Sequence, residues 1–355
     1  MRIQTEPIGS IPRPIELIEG MKAHAAGNIK DQELNKLFEA ALVDTIKRFE
    51  ATGSPVITDG EQTKPSFATY PIAGMTGLDP NGVVIPFADG HTRQLPKITG
   101  GPFHYQTYAN SYLEKAKRLT ALPVKQAVIA VSAISLLYPP EGVEGYGHDQ
   151  FIHDLLNEAE ADIRRSLHSG AYNVQIDFTE ARLSLKLDPS GGLLQSFIDL
   201  NNKVLSRFTE EERKKIGVHS CPGGDHDSTH SADIPYADLL PFLFQLQTGN
   251  FYLEYAGEKD KQSVLSSIKE NIRPSQIVFL GVTNVLDPRI ETPEEIRELI
   301  LEAAAVIPVD QLGTTDDCGF SPFADDVSTA REIAFGKIKA RIDGTWLAEA
   351  ALSKK

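Results

Sequence analysis

The stretch that decides the fold runs from NVQIDF (173–178) through IGVHS (216–220) and NFYLEY (250–255) to IVFLGV (277–282). These are four short β-branched or apolar runs separated by segments of helical periodicity. Runs of that length alternating with amphipathic helices are the mark of repeated βα units around a parallel sheet. VKQAVIA (124–130) precedes the series and VDQLGTT (309–315) closes it, so six strands are readable from about residue 120 onward.

Two further strands are expected nearer the N-terminus, around Pro7 to Ser10 and at PVITDG (55–60), flanking a long helical pattern from Asp31 to about Ala51. Eight parallel strands predict an α/β fold, a single (β/α)8 TIM barrel. TPEEIRELILEAAAVI (292–307) predicts a helix over 293–306, with Thr292 as N-cap, Pro293 at the first helical position and acidic residues in the first turn. The Gly- and Pro-rich segment from about 63 to 105 fits no βα unit and is expected to be an extended βα-loop excursion over the barrel mouth. No linker or fixed-period repeat divides the chain, and residues 1–355 are expected to form one catalytic domain.

The formal net charge of −14 and a pI near 5.1 argue against nucleic acid or an acidic membrane surface as partner. No apolar stretch is long enough to span a bilayer and no signal-peptide core is present, which predicts a cytoplasmic protein acting on small molecules. Two cysteines far apart in a reducing compartment predict thiols rather than a structural disulfide. Either could simply be a small buried apolar residue. A homodimer is compatible with the aliphatic helix surfaces of such barrels, and no interface signature is present.

Barrel active sites lie at the C-terminal ends of the strands. The polar residues there are Ser10, Asp59 with Glu61, Ser132 with Ser135, Asp177 with Glu180, His219 with Cys221, Glu254, Thr283 with Asn284, and Asp316, Asp317 and Cys318. In GVHSC, His219 and Cys221 stand two apart at a strand end, so the period of two points both side chains the same way. Glu254 closes the next strand and Cys318 follows the last. One imidazole, two thiolates and a carboxylate that substrate can displace suit zinc. A zinc-bound thiol substrate would enter as thiolate at neutral pH. Packed or disulfide-bonded cysteines are the bland alternative, as are solvated loop carboxylates for Glu61 and Asp177.

These residues carry a resemblance. IGSIPRP (8–14), DGEQ (59–62), QIDFTEA (175–181), HSC (219–221), the glutamate of YLEYAG (252–257) and DDCGF (316–320) occur in the order found in cobalamin-independent methionine synthase. The chain resembles that family's C-terminal catalytic barrel over nearly its whole length, within a superfamily shared with uroporphyrinogen decarboxylase. The resemblance implies His219, Cys221, Glu254 and Cys318 as zinc ligands and homocysteine as the thiol. It places the homocysteine contacts on Ile8, Ser10, Glu61 and Asp177, the two carboxylates receiving the ammonium group. A buried ammonium needs such acceptors.

The chain departs from the family in the donor half. One barrel, the catalytic one, is expected here where the family's full-length enzyme carries two; AVSAIS (130–135) stands where a Gly-Pro-Val-Thr segment is usual; Leu286 of GVTNVLDP falls near the expected acid histidine; and QIDEPA has become QIDFTEA. The methyl donor is therefore expected to be either methyltetrahydrofolate or, by these departures, an altered one. His226, in GGDHDSTH (223–230) beside His230, is the candidate acid for the leaving group, since a histidine near neutral pKa suits that task. It could equally belong to a loop of capping residues. The competing readings are thiol alkylation by another electrophile such as an epoxide, a porphyrinogen-type decarboxylase, for which the basic residues are lacking, and a non-catalytic zinc-binding relative.

Overall fold

The computed structural model describes residues 2–223 and 229–354. Eleven strands occur among them: β1 Gln4–Thr5, β2 Leu78–Asp79, β3 Val84–Pro86, β4 Thr92–Gln94, β5 Lys97–Ile98, β6 Gln126–Ile129, β7 Val174–Asp177, β8 Ile216–Ser220, β9 Asn250–Leu253, β10 Ile277–Gly281 and β11 Leu312–Thr315. Seven of them form one parallel sheet in the order β1-β11-β10-β9-β8-β7-β6. Almost every residue of these strands is buried, as expected of a sheet covered on both faces.

The eighth position of the barrel is held by Ile57. It bridges Val124 in parallel, with Ile57 N–H donating to the Pro123 carbonyl (3.0 Å) and Lys125 N–H to that of Ile57 (2.8 Å). On its other side Thr58 Oγ1 donates to the Gly9 carbonyl (2.9 Å) and Ile11 N–H to that of Gly60 (3.1 Å). The protein is thus a (β/α)8 barrel closed on one flank by a bridge and loop hydrogen bonds rather than a full strand. The N-terminal strand falls earlier than the sequence suggests, at 4–5, because Pro7 has no N–H to donate to a ladder.

The helix Pro293–Ala304 begins as expected: Thr292 Oγ1 accepts from Glu295 N–H (3.2 Å) and the Glu295 carboxylate from Thr292 N–H (2.8 Å). The helix Asp31–Ala51 matches the predicted span. The excursion contains two antiparallel ladders, β2 with β5 and β3 with β4. It crosses the barrel mouth, where Ala88 N–H donates to the Thr229 carbonyl (2.8 Å) and Ser66 bridges Phe323. No helix among the described residues is long and apolar enough to cross a membrane.

The barrel interior carries a polar layer below the mouth. Lys125 Nζ lies 3.7 Å from Glu6 and 2.8 Å from Gln175 Oε1, and stands 3.9 Å over the Tyr252 ring. Glu6 also accepts from Tyr252 (2.7 Å) and Asn173 (2.8 Å). A buried cation satisfied in this way fixes the side chains above it, and Gln175 in turn donates to Asp177 Oδ1 (2.7 Å). The strand interior therefore aims a carboxyl group at the mouth.

Candidate active site

A cleft of about 680 Å³, its open mouth included, lies at the C-terminal ends of the strands. Ile8, Ser10, Glu61, Asp177, His219, Cys221 and Cys318 all line it. Phe67 and Phe87 of the excursion and Phe323 wall its outer side.

His219 is the penultimate residue of β8 and is buried. Its Nδ1 lies 3.1 Å from the Tyr252 carbonyl and donates to it. That hydrogen bond leaves Nε2 as the lone-pair nitrogen, which is buried with no hydrogen-bond partner among the described residues. Burial pushes the imidazole down to about 3, so it is neutral at any physiological pH. Ligand atoms of His219, Cys221 and Cys318 lie within 4.8 Å of one another. An orphaned neutral imidazole nitrogen beside two sulfurs has the chemistry of a soft-metal donor set with an open position.

Two expectations meet different geometry. The sequence argued for separate thiols, whereas here Cys221 and Cys318 are joined as a disulfide, their Cα atoms 6.0 Å apart. The end of β8 and the turn after β11 converge at the mouth, and sulfurs brought that close are within bonding reach once oxidised. Two electrons and two protons would return both thiols. Glu254, expected as fourth ligand, stands outside the three-residue cluster. Its Oε2 accepts from Arg182 NH1 at 2.5 Å. Arg182 is buried, binds Glu258 at 2.8 Å through NH2, and donates from Nε to the Ile234 carbonyl (2.8 Å). Burial, with Asp317 and Glu258 nearby, pushes the Glu254 carboxyl up, and Arg182 pulls it back. His226 lies outside the described residues. His230 lines the cleft, edge-on to Phe87 at 6.0 Å.

The turn holding Cys318 is tightly fastened. The preceding Asp317 accepts three backbone N–H groups, from Tyr255 (2.8 Å), Ala256 (2.9 Å) and Gly257 (2.6 Å). Ser10 Oγ accepts from Ser321 N–H (3.1 Å), so this hydroxyl secures the turn as well as lining the cleft. Asp317 approaches so closely because residue 281 is glycine: a methyl there would overlap Asp317 Oδ1 and come within 2.8 Å of Asp317 Cα and 3.0 Å of the Leu253 carbonyl. Backbone cannot give way as a side chain can. Gly281→Ala is therefore expected to destabilise the protein by about 1–3 kcal/mol and to displace Cys318. Denaturant unfolding checks the first expectation, and metal affinity, which should fall with it, the second.

Opposite the sulfurs stand two carboxyl groups. Glu61 sits at a positive φ of 57°, a strained conformation for a non-glycine residue. It accepts from the buried Lys64 Nζ at 3.2 Å. That lysine, which also donates to the Ala127 carbonyl (3.0 Å), carries no signal in the DGEQ motif. Burial, reinforced by Glu61, pushes the Asp177 carboxyl up to about 7. Asp177 therefore becomes a full carboxylate only above neutrality.

A parallel barrel with this polar cleft at its C-terminal mouth belongs, by architecture, to the catalytic (β/α)8 class. Residues 210–331, which contain His219, Cys221, Glu254 and Cys318, match the family model described as cobalamin-independent synthase, catalytic domain. Curated relatives named methionine synthase come from Sulfurisphaera tokodaii, 21% identical over 99% of this chain and 94% of the relative, and Saccharolobus islandicus, 23% identical over 99% and 97%. A solved B12-independent methionine synthase from Shewanella sp. W3-18-1, in complex with selenomethionine, superposes with a TM-score of 0.78 at 18% identity, covering 100% of both chains. A putative vitamin-B12 independent methionine synthase from Listeria monocytogenes reaches 0.71 at 20% identity, covering 96% of this chain and 98% of the other. The chain thus shares the fold of solved B12-independent methionine synthases and, over residues 210–331, is similar to the catalytic domain of the cobalamin-independent enzymes.

Proposed function

We propose that the chain is a zinc-dependent S-methyltransferase that converts homocysteine to methionine. The observation that carries this reading is the cluster of His219 Nε2 with the Cys221 and Cys318 sulfurs on a cleft whose lining also includes Glu61 and Asp177. With the disulfide reduced, these three residues would hold zinc. Glu254 would serve as the exchangeable fourth ligand after release from Arg182. Zinc, when bound, lowers the pKa of a coordinating thiol so that it reacts as thiolate at neutral pH.

The chain's own residues then position the amino acid. Asp177 and Glu61 accept its ammonium group, and Gln175 holds Asp177 in line. Ile8 and Ser10 border the same pocket. The selenomethionine bound by the Shewanella relative supports an amino-acid site of this kind. Attack by a fixed sulfur on a methyl group held in line draws most of its acceleration from positioning.

The methyl donor is either methyltetrahydrofolate or a different carrier. Leu286 packs against the core where the family resemblance leads one to expect an acid histidine. This substitution favours, as second reading, alkylation of the thiol by an electrophile that needs no such acid. Incubating the reduced, zinc-loaded protein with homocysteine and methyltetrahydrofolate, and separately with S-methylmethionine, tests the proposal by mass spectrometry. Methionine from either donor supports it. Failure with both, alongside turnover of an epoxide by the same thiol, favours the second reading.

A pH dependence follows from Asp177. Its carboxyl, raised to about 7, loses its charge as pH falls. KM for homocysteine is expected to rise roughly five- to tenfold from pH 7 to pH 6. Asp177→Asn should raise KM throughout and flatten that profile, with a much smaller change in kcat. A wild-type KM constant over this range would contradict the assignment.

A further inference from the structure

We propose that Glu180 is the proton donor of the transfer, acting on the leaving atom of a methyl donor seated in the groove beside the thiol cleft. The inference rests on the methyltransferase reading above. Glu180 lines the thiol cleft and also an adjoining groove of about 1250 Å³, open mouth included. It therefore stands at the junction where a thiol in one compartment would meet a donor in the other.

Its orientation is set from behind. Glu180 Oε1 accepts from Ser132 Oγ, and that hydroxyl accepts from Asn201 Nδ2 at 2.7 Å. Asn201 is itself tied to the Phe197 carbonyl (2.9 Å). Glu180 Oε2 is shielded from solvent and has no hydrogen-bond partner among the described residues. A carboxyl group held by one oxygen, with the other buried and unpartnered, calls for a ligand or a proton. Ser132 lies in AVSAIS and Glu180 in QIDFTEA, both segments where the chain departs from the pattern of the family it resembles.

The charged surroundings are sparse. Asp177, on β7, is the charged neighbour that acts on Glu180. The helices Val131–Ser135 and Gly192–Leu205 present to it the neutral groups of Ser132 and Asn201. Across the groove stand Arg93 and Asp325, and Arg93 is engaged with Asp325 (3.1 Å) and Asp326 (3.2 Å) while stacking 3.8 Å over Phe323. The remaining wall is largely apolar, including Ile72, Ile129, Ile134 and Leu137. Burial, with Asp177 adding to it, pushes the Glu180 carboxyl up to about 7, a value suited to giving up a proton near neutrality.

The step balances without a further reagent. The homocysteine thiol loses its proton to solvent before attack. Its sulfur pair then forms the S–CH3 bond, the bond from methyl to the donor's amine nitrogen breaks, and the electron pair stays on nitrogen. That nitrogen takes the proton from Glu180 Oε2. Glu180, left as carboxylate, is reprotonated from solvent. A sulfonium donor differs: its leaving group departs as a neutral thioether and needs no proton.

Methionine formation is compared for wild type, Glu180→Gln, Glu180→Asp and Ser132→Ala, with methyltetrahydrofolate as amine donor and S-methylmethionine as sulfonium donor. Circular dichroism melts and homocysteine binding verify that each variant folds. Glu180→Gln is expected to lower kcat with the amine donor on the order of 100-fold and to remove the fall in rate above about pH 7, while the sulfonium rate drops less than about threefold. Glu180→Asp should keep the pH limb at reduced rate, and Ser132→Ala should shift that limb. Equal rates for Glu180→Gln and wild type with the amine donor, or an equal loss with both donors, would overturn the assignment.

If wild type forms no methionine from either donor, the reading beneath fails, and Glu180 is then judged by infrared spectroscopy. A protonated-carboxyl stretch present at about pH 6, lost by about pH 8 and missing from Glu180→Gln supports a proton held there. Its absence from wild type overturns the proposal.

Discussion

His219→Ala is expected to yield a folded protein that holds no zinc and methylates homocysteine on the order of 3,000-fold more slowly. Two losses combine in that figure. A free thiol of ordinary pKa is only a few per cent ionised at neutral pH, which is roughly a 30-fold loss of nucleophile. A sulfur no longer fixed in the line of attack costs about 100-fold more. Folding should survive, because Nε2 makes no hydrogen bond among the described residues and only the Nδ1 contact to Tyr252 is removed. The metal-loaded wild type should nonetheless outlast the variant on heating, since zinc at 1,000 times its Kd stabilises the folded state by about 4 kcal/mol. Zinc content and a melting curve with and without chelator check both parts. A variant that retains stoichiometric zinc would contradict the role given to His219.

Arg182→Met is expected to destabilise the protein by about 3–5 kcal/mol, the range for removing one partner of a buried ion pair. The guanidinium is buried between Glu254 and Glu258, with the Ile234 carbonyl as a third partner. Methionine fills similar volume and supplies no donor, so two carboxyl groups are left facing each other with little water. Combining it with Glu254→Gln should recover a substantial part of the loss, because one of the uncompensated charges is gone. Urea unfolding of the two singles and the double measures this. A single variant within about 1 kcal/mol of wild type would mean that Glu254 is held by something other than Arg182.

The same pair marks the limit of what the sequence discloses. His219 and Cys221 are readable because two-residue spacing at a strand end is a local property. Asp177 and Cys318 are readable because strand ends of a barrel converge. Arg182 is not: it lies in the helix Glu180–Leu187, and its salt bridge to Glu254 spans two βα units. No local pattern shows which strand-end carboxylate a buried guanidinium will capture. Lys64 is hidden for the same reason, its partner set by the turn that puts Glu61 at positive φ.

The barrel itself is readable from β6 onward, where strand and helix alternate regularly. It is less so at the N-terminus, where Pro7 shortens the first strand and a single bridge at Ile57 stands for another. The excursion is recognisable as an interruption rich in glycine and proline. Its short ladders, of two and three residue pairs, lack the alternation that would announce them. Glu180 stands among the strand-end polar residues, but its special position depends on Ser132 and Asn201, brought from two other helices.

If this cleft activates a thiol on a metal held by His219, Cys221 and Cys318, that metal must gain a sulfur ligand when homocysteine binds. Zinc-edge X-ray absorption on the reduced, zinc-loaded protein, with and without homocysteine, tests it most directly. Two sulfur ligands are expected at rest and a third on adding homocysteine, with Cys318→Ser lowering the resting count by one. A zinc site whose sulfur count ignores homocysteine, or a reduced protein that binds no zinc, would contradict it.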